Sequence, residues 1–115
     1  MNQMRVLCGV MALGLVACSK AKPPICREDS VGRCTAYSGS AYESTEAKAA
    51  IETRCGAAGG TYLSSGECSD AKQVGRCTRN EGKAFEQGDR HYETSSKTAT
   101  QLEADCVAEG ALWRN

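Results

Sequence analysis

The sequence is poor in the residues that usually build a core or a catalytic centre. Its 115 residues include one histidine, one tryptophan, one phenylalanine and two prolines, and 14 basic side chains balance 14 acidic ones. That balance excludes the concentrated basic surface that a phosphate backbone requires, so no nucleic-acid partner is expected. It equally excludes an acidic solvating tail. No two cysteines lie two to four residues apart. With a single histidine, this excludes the usual zinc arrangement, and no metal or cofactor is expected. The missing Cys-x-x-Cys pair also argues against a disulfide exchanger. Beyond the N-terminal segment, the large aliphatics are few: Ile25, Val31, Ile51, Leu63, Val74, Leu102, Val107 and Leu112. So thin an apolar supply calls for covalent help in a small domain.

Cysteine supplies that help. The chain has eight, a usage that belongs to an oxidising compartment. Six of them, all but Cys8 and Cys18, sit in a pattern that recurs. Val31-Gly32-Arg33-Cys34-Thr35 returns letter for letter as Val74-Gly75-Arg76-Cys77-Thr78. Each copy is preceded by a cysteine, Cys26 or Cys68, and followed by Tyr42-Glu43-Ser44-Thr45 or Tyr92-Glu93-Thr94-Ser95. A third cysteine then follows, Cys55 or Cys106, with a glycine and an aromatic beyond it: Gly59 and Tyr62, or Gly110 and Trp113. The pattern reads as one small unit used twice, at 25–67 and 68–115, within one compact domain.

The N-terminus reads as an address. Arg5 precedes an apolar stretch, Val6 to Ala17, of signal-peptide length and too short to span a bilayer with ease. In the uncut chain, residues 4–17 are expected as a helix detached from the domain. The stretch ends in Leu15-Val16-Ala17-Cys18, which resembles the lipobox of bacterial lipoproteins. The resemblance implies a signal peptide at 1–17, cleavage before Cys18, and lipidation of the Cys18 sulfur with acyl chains of the palmitate kind. Ser19 at the second mature position implies sorting to the outer membrane, with the domain facing the periplasm or the surface. Several acyl chains together anchor stably. Residues 18–24, with two lysines and Pro23-Pro24, read as a tether that is neither packed nor helical.

Within each unit, local signals predict ββαβ. Val31 to Ala36 reads as a strand, Ser38-Gly39-Ser40 as a turn, and Ala41-Tyr42-Glu43 as the start of the returning strand. Ser44 or Thr45 caps a helix running to about Ala58, with Ala47, Ala50, Ile51, Cys55 and Ala58 inward. Thr61-Tyr62-Leu63 is the third strand. In the second unit, Val74 to Arg79 and His91 to Thr94 are strands, Thr98 to Glu109 is a helix with Leu102 and Cys106 inward, and Ala111 to Trp113 closes the unit. The expected class is α+β: a disulfide-stapled domain of antiparallel strands and two helices. Gly32 and Gly75, two positions before a strand cysteine, suggest a close helix approach. Strand-to-helix bridges Cys34–Cys55 and Cys77–Cys106 are therefore expected, with Cys26–Cys68 joining the unit starts, although six cysteines permit fifteen pairings.

No catalytic constellation emerges. Asp89, Arg90 and His91 alternate along a strand and cannot all converge, and His91 reads as a surface residue. Gly56 to Gly60 follows a helix, so it does not cradle phosphate. Glu46, Glu52, Glu103 and Asp105 read as solvated helix charge. The chain is expected not to be an enzyme. The units differ in one place, a longer connection from Asn80 to Arg90 with Phe85 among charges, and loops on rigid scaffolds often carry function. Phe85 and Arg90 are thus candidate partner contacts. Tyr62 and Trp113 are alternatives, read mainly as core. The repeat resembles cysteine-rich modules of bacterial envelope lipoproteins with no established activity. The resemblance implies a non-catalytic lipoprotein that binds an envelope protein or polysaccharide. The alternative is a small inhibitor of a hydrolase such as lysozyme.

Overall fold

A single row of side chains crosses the molecule: Tyr62, Cys26, Thr35, Asp89, Cys77 and Trp113, each opposite the next on six neighbouring strands. The computed structural model describes residues 22–115 in full. Before them it describes only the backbone of two paired strands, β1 (Val6–Val10) and β2 (Val16–Lys20). Residues 1–5, 11–15 and 21 and the side chains before residue 22, that of Cys18 included, lie outside the described residues. The helix expected over 4–17 falls in part on residues outside those described.

The sheet comprises β3 (Ile25–Glu28), β4 (Arg33–Ser38), β5 (Thr61–Leu63), β6 (Gln73–Arg79), β7 (Glu86–Tyr92) and β8 (Leu112–Arg114). Its order is β5-β3-β4-β7-β6-β8, every pair antiparallel. Helix α1 (Thr45–Ala57) lies on β3 and β5, and α2 (Ala99–Ala108) on β6 and β8. Over residues 22–115 the protein is thus α+β, with six antiparallel strands, two helices and three disulfides.

The helix ends follow capping chemistry. Ser44 accepts from the Ala47 amide. Thr98 and Gln101 form a reciprocal capping box. Gly59 and Gly110 follow the helix ends at φ 75°, a left-handed turn that other residues resist. Only Ile51 and Cys55 of α1, and Leu102 and Cys106 of α2, are buried. Ala50 and Ala58, expected inward, are exposed.

Several expectations are corrected. The strand Ile25–Glu28 was not foreseen. Residues 40–42 form a 3-10 turn where a returning strand was expected. The partners of β4 are β3 and, far along the chain, β7. The strand β7 begins at Glu86, so the long connection shrinks to Asn80–Phe85. The two identical five-residue stretches also occupy unlike places. The first runs into β4, and the second lies in β6. Gly32 is a left-handed turn at φ 63°, packed on the Ser95 backbone. Gly75 instead lies under the Trp113 ring, where an added Cβ would come within 2.0 Å of Cζ2.

The disulfides are Cys26–Cys55, Cys34–Cys68 and Cys77–Cys106. The expected Cys34–Cys55 and Cys26–Cys68 bridges are replaced, and the register explains why. Cys26 stands opposite Thr35, so Cys26 faces the helices and Cys34 faces away. Cys55 on α1 can reach only the former. Cys34 meets Cys68 on the other side, beside the fully buried Ile25, with Ala36 and Tyr92 packed around them. Each bridge closes a loop of about 30 residues, which constrains the unfolded chain by about 3–4 kcal/mol. Four of the aliphatics expected in the core, Val31, Leu63, Val107 and Leu112, are exposed. The bridges supply what that core lacks.

Candidate functional site

On the helix side, α1 and α2 cover the outer strands and leave the central strands as the floor of a groove. The floor carries an unusual density of buried polar groups: Glu28, Thr35, Asp89 and His91. The row centre is a hydrogen-bonded pair. Thr35 donates its hydroxyl to Asp89 Oδ1 at 2.9 Å, and Arg79 donates to Asp89 Oδ2 at 2.8 Å. Arg79 also donates from Nε to Glu109 at 2.7 Å, fastening α2 to β6. Burial pulls the Arg79 guanidinium down, but its bonds to Glu109 and Asp89 outweigh that and hold it above the usual arginine range. In the next row, Arg33 grips Glu28 through two hydrogen bonds of 3.2 and 2.7 Å. The bonds to Glu28 raise Arg33 against the cost of burial.

His91 is 8% exposed and stacks on Trp113, ring centres 5.9 Å apart. This corrects its reading as a surface residue: Gly75 opposite it leaves room for the indole. Burial lowers its pKa, and Asp89 only partly opposes that. A cavity of about 560 Å³ opens here, with Arg33, Arg79, His91, Ser95 and Lys97 among its walls. The arrangement is firm and closed on itself. Both Asp89 oxygens accept hydrogen bonds, so this carboxylate ties β7 to β4 and to β6. Among the described residues, no cluster of three metal-ligating side chains occurs.

The candidate contact residues do not converge. Tyr62 and Trp113 share the helix-side face but stand at its opposite edges, five strand spacings or about 24 Å apart. They therefore form no aromatic stripe. The Tyr62 hydroxyl is buried without a hydrogen-bond partner among the described residues. Trp113 donates from Nε1 to Asn115 at 3.0 Å. Arg90, expected in the long connection, lies within β7 on the face away from the helices. There it pairs with Asp70 and donates to Gln73 at 3.1 Å.

Phe85 stands apart from all of these. It is 47% exposed at the end of the β6–β7 turn. The turn is braced from outside: Ala41 donates its amide to the Ala84 carbonyl at 2.9 Å, and Tyr42 donates its hydroxyl to the Phe85 carbonyl at 3.2 Å. From inside, the Gly82 amide donates to Glu86 at 2.7 Å and Lys83 to the Asn80 carbonyl at 3.0 Å. Gly39 packs so closely that a Cβ there would fall 2.2 Å from the Ala84 oxygen.

The residues that sequence reasoning missed are Arg27, Arg76 and Arg114. They share one row with Arg90 on the face away from the helices. Strand alternation is their signal, and it becomes readable only once β3 and the register are known. Comparison with protein-family models, curated proteins and solved structures finds no match.

Proposed function

We propose that this chain is a non-catalytic lipoprotein of the bacterial envelope that binds another envelope protein through the β6–β7 turn. The observation that carries this reading is Phe85, an apolar side chain left exposed on a turn braced at four points. A side chain already fixed in position loses little freedom on binding, and an apolar anchor in a polar rim is the usual make-up of a small contact. Attachment to the outer membrane is through lipid on Cys18, implied by Leu15-Val16-Ala17-Cys18. No helix among the described residues is long and apolar enough to cross a membrane.

The element series β3-β4-α1-β5 and β6-β7-α2-β8 supports two ββαβ repeats. Cys26, Cys55 and Tyr62 lie 51 residues before Cys77, Cys106 and Trp113 (77 minus 26, 106 minus 55, 113 minus 62). On this reading the identical five-residue stretches are out of phase with the repeat. The same braced turn favours the second reading, an inhibitor that plugs the cleft of a hydrolase such as lysozyme.

Two experiments test the proposal. Cys18→Ser should release the protein from membranes washed in high salt; retention would contradict lipid anchoring. Phe85→Ser should keep the three disulfides and lose partners captured with the wild-type domain. Undiminished capture by the folded variant would place the contact elsewhere. Inhibition of lysozyme by the wild-type chain, abolished by Phe85→Ser, would favour the second reading.

A further inference from the structure

We infer that the face away from the helices docks onto the phosphate headgroups of the membrane that carries the chain. The inference rests on the proposed anchor at Cys18 for its setting and on charge placement for its substance. One row across all six strands reads Thr61, Arg27, Cys34, Arg90, Arg76 and Arg114. Arg90, Arg76 and Arg114 stand directly opposite one another on adjacent strands. Like charges so placed destabilise a sheet, and for Arg76, between the other two, no side-chain ion pair or hydrogen bond among the described residues offsets that.

The acids around this face pair with three of the four arginines and leave Arg76, between Arg90 and Arg114, without one. Arg90 pairs with Asp70, Arg114 lies 2.9 Å from both Glu81 oxygens, and Arg27 lies 3.8 Å from Asp29. Glu67 pairs with Lys22, and Glu86 is turned to the Gly82 amide. Among the described residues, the Arg76 side chain has no ion-pair or hydrogen-bond partner. A guanidinium matches phosphate oxygens in a two-point fork. The floor beside it is flat and small: Ala36, Gly88 and Thr78 form the neighbouring row, and an added Cβ at Gly88 would meet nothing within 4 Å.

The tether leaves on this same side, which is the second observation. Pro23 lines the same cavity of about 400 Å³ as Arg76 and Arg90. The Pro23 carbonyl accepts from the Gly66 amide at 2.9 Å and the Lys22 carbonyl from Ser65 at 3.2 Å, so the chain is held there. From Lys22 back to Cys18 is four residues, a reach of about 14 Å at most. A lipid on Cys18 therefore keeps the arginine row within one or two screening lengths of the headgroups.

The test uses the mature chain with Cys18→Ser, so that no acyl chain contributes. It should bind phosphatidylcholine vesicles containing phosphatidylglycerol, not pure phosphatidylcholine, and release as salt rises. Each arginine removed should weaken binding roughly fivefold, so Arg76→Gln with Arg114→Gln should lose roughly twentyfold or more. Arg76→Lys should retain most of the affinity, and Lys48→Gln with Arg54→Gln on α1 should change nothing. Disulfide mapping verifies that each variant is folded. Equal binding to both vesicle types, binding unchanged in the double arginine variant, or binding of inorganic phosphate without any vesicle binding would overturn the inference. The anchor is tested separately by cell fractionation, so a chain that is anchored but shows no vesicle affinity overturns docking alone.

Discussion

On the helix side of the sheet, the central charged groups touch their opposites: Glu28 with Arg33, and Arg79 with both Asp89 and Glu109. On the other side, four arginines share a row, and the acids that meet them come from flanking loops and turns. The first arrangement fastens the sheet and α2 together. The second adds repulsion that the strands must bear. Two faces of one sheet, built from the same residue types, thus separate a stabilising use of charge from one that stability does not explain.

Breaking the bridges tests the helix side most severely. Replacing Cys77 and Cys106 with alanine should cost about 3–4 kcal/mol, a large part of a typical total of about 5–15 kcal/mol. It should reduce helical circular dichroism, because α2 otherwise buries only Leu102. Replacing Cys34 and Cys68 should cost a similar amount yet leave both helices in place, loosening residues 64–72. Equal helix loss in both variants would erase the distinction between the faces.

Next in size is Asp89→Ala, which removes the acceptor for both Thr35 and Arg79. It should destabilise by about 2–3 kcal/mol in denaturant unfolding, because a buried hydroxyl and a half-buried guanidinium lose a partner. A change below about 0.5 kcal/mol would mean the pair does not hold the sheet centre.

His91 gives a smaller, pH-dependent effect. Its folded pKa lies below the ordinary 6.5 because burial disfavours the charged ring. The unfolded chain therefore takes up the proton first. Stability from this group is present above pH 6.5 and falls as the pH drops toward the lowered folded value. As the only histidine, its ring can be titrated directly by nuclear magnetic resonance. A midpoint at or above 6.5 would contradict the burial argument, and His91→Asn should flatten this segment of the stability profile.

The smallest effect has the opposite sign. Arg76→Thr removes a like charge from between Arg90 and Arg114 and should leave stability unchanged or raise it by about 0.5 kcal/mol. A loss above about 1 kcal/mol, measured by thermal unfolding, would show that Arg76 serves the fold after all.

The helices were legible in the sequence because their signals are local. Ser44, Thr98, Gly59 and Gly110 each act within one turn of the chain. The sheet was not, because its register joins distant residues. Pro24 and the charged Arg27 and Glu28 hid β3, whose buried Glu28 is tolerable only because Arg33 lies opposite. With β3 missing, the faces of Cys26 and Cys34 could not be assigned, and two of the three bridges were misread. The repeated Val-Gly-Arg-Cys-Thr misled for a related reason: identical letters carry no record of which residues will lie across the sheet. Phe85 was singled out from the unequal length of the connections, a local feature. The arginine row needed the register of all six strands.

Arginine-selective modification of the full-length protein, mapped by mass spectrometry in membranes and again in detergent, tests the division between the faces most directly. Arg76 and Arg114 should be protected in membranes and react in detergent, while Arg54, exposed on α1, should react equally in both. Protection of Arg54 instead, or equal reaction of Arg76 in the two settings, would contradict the account.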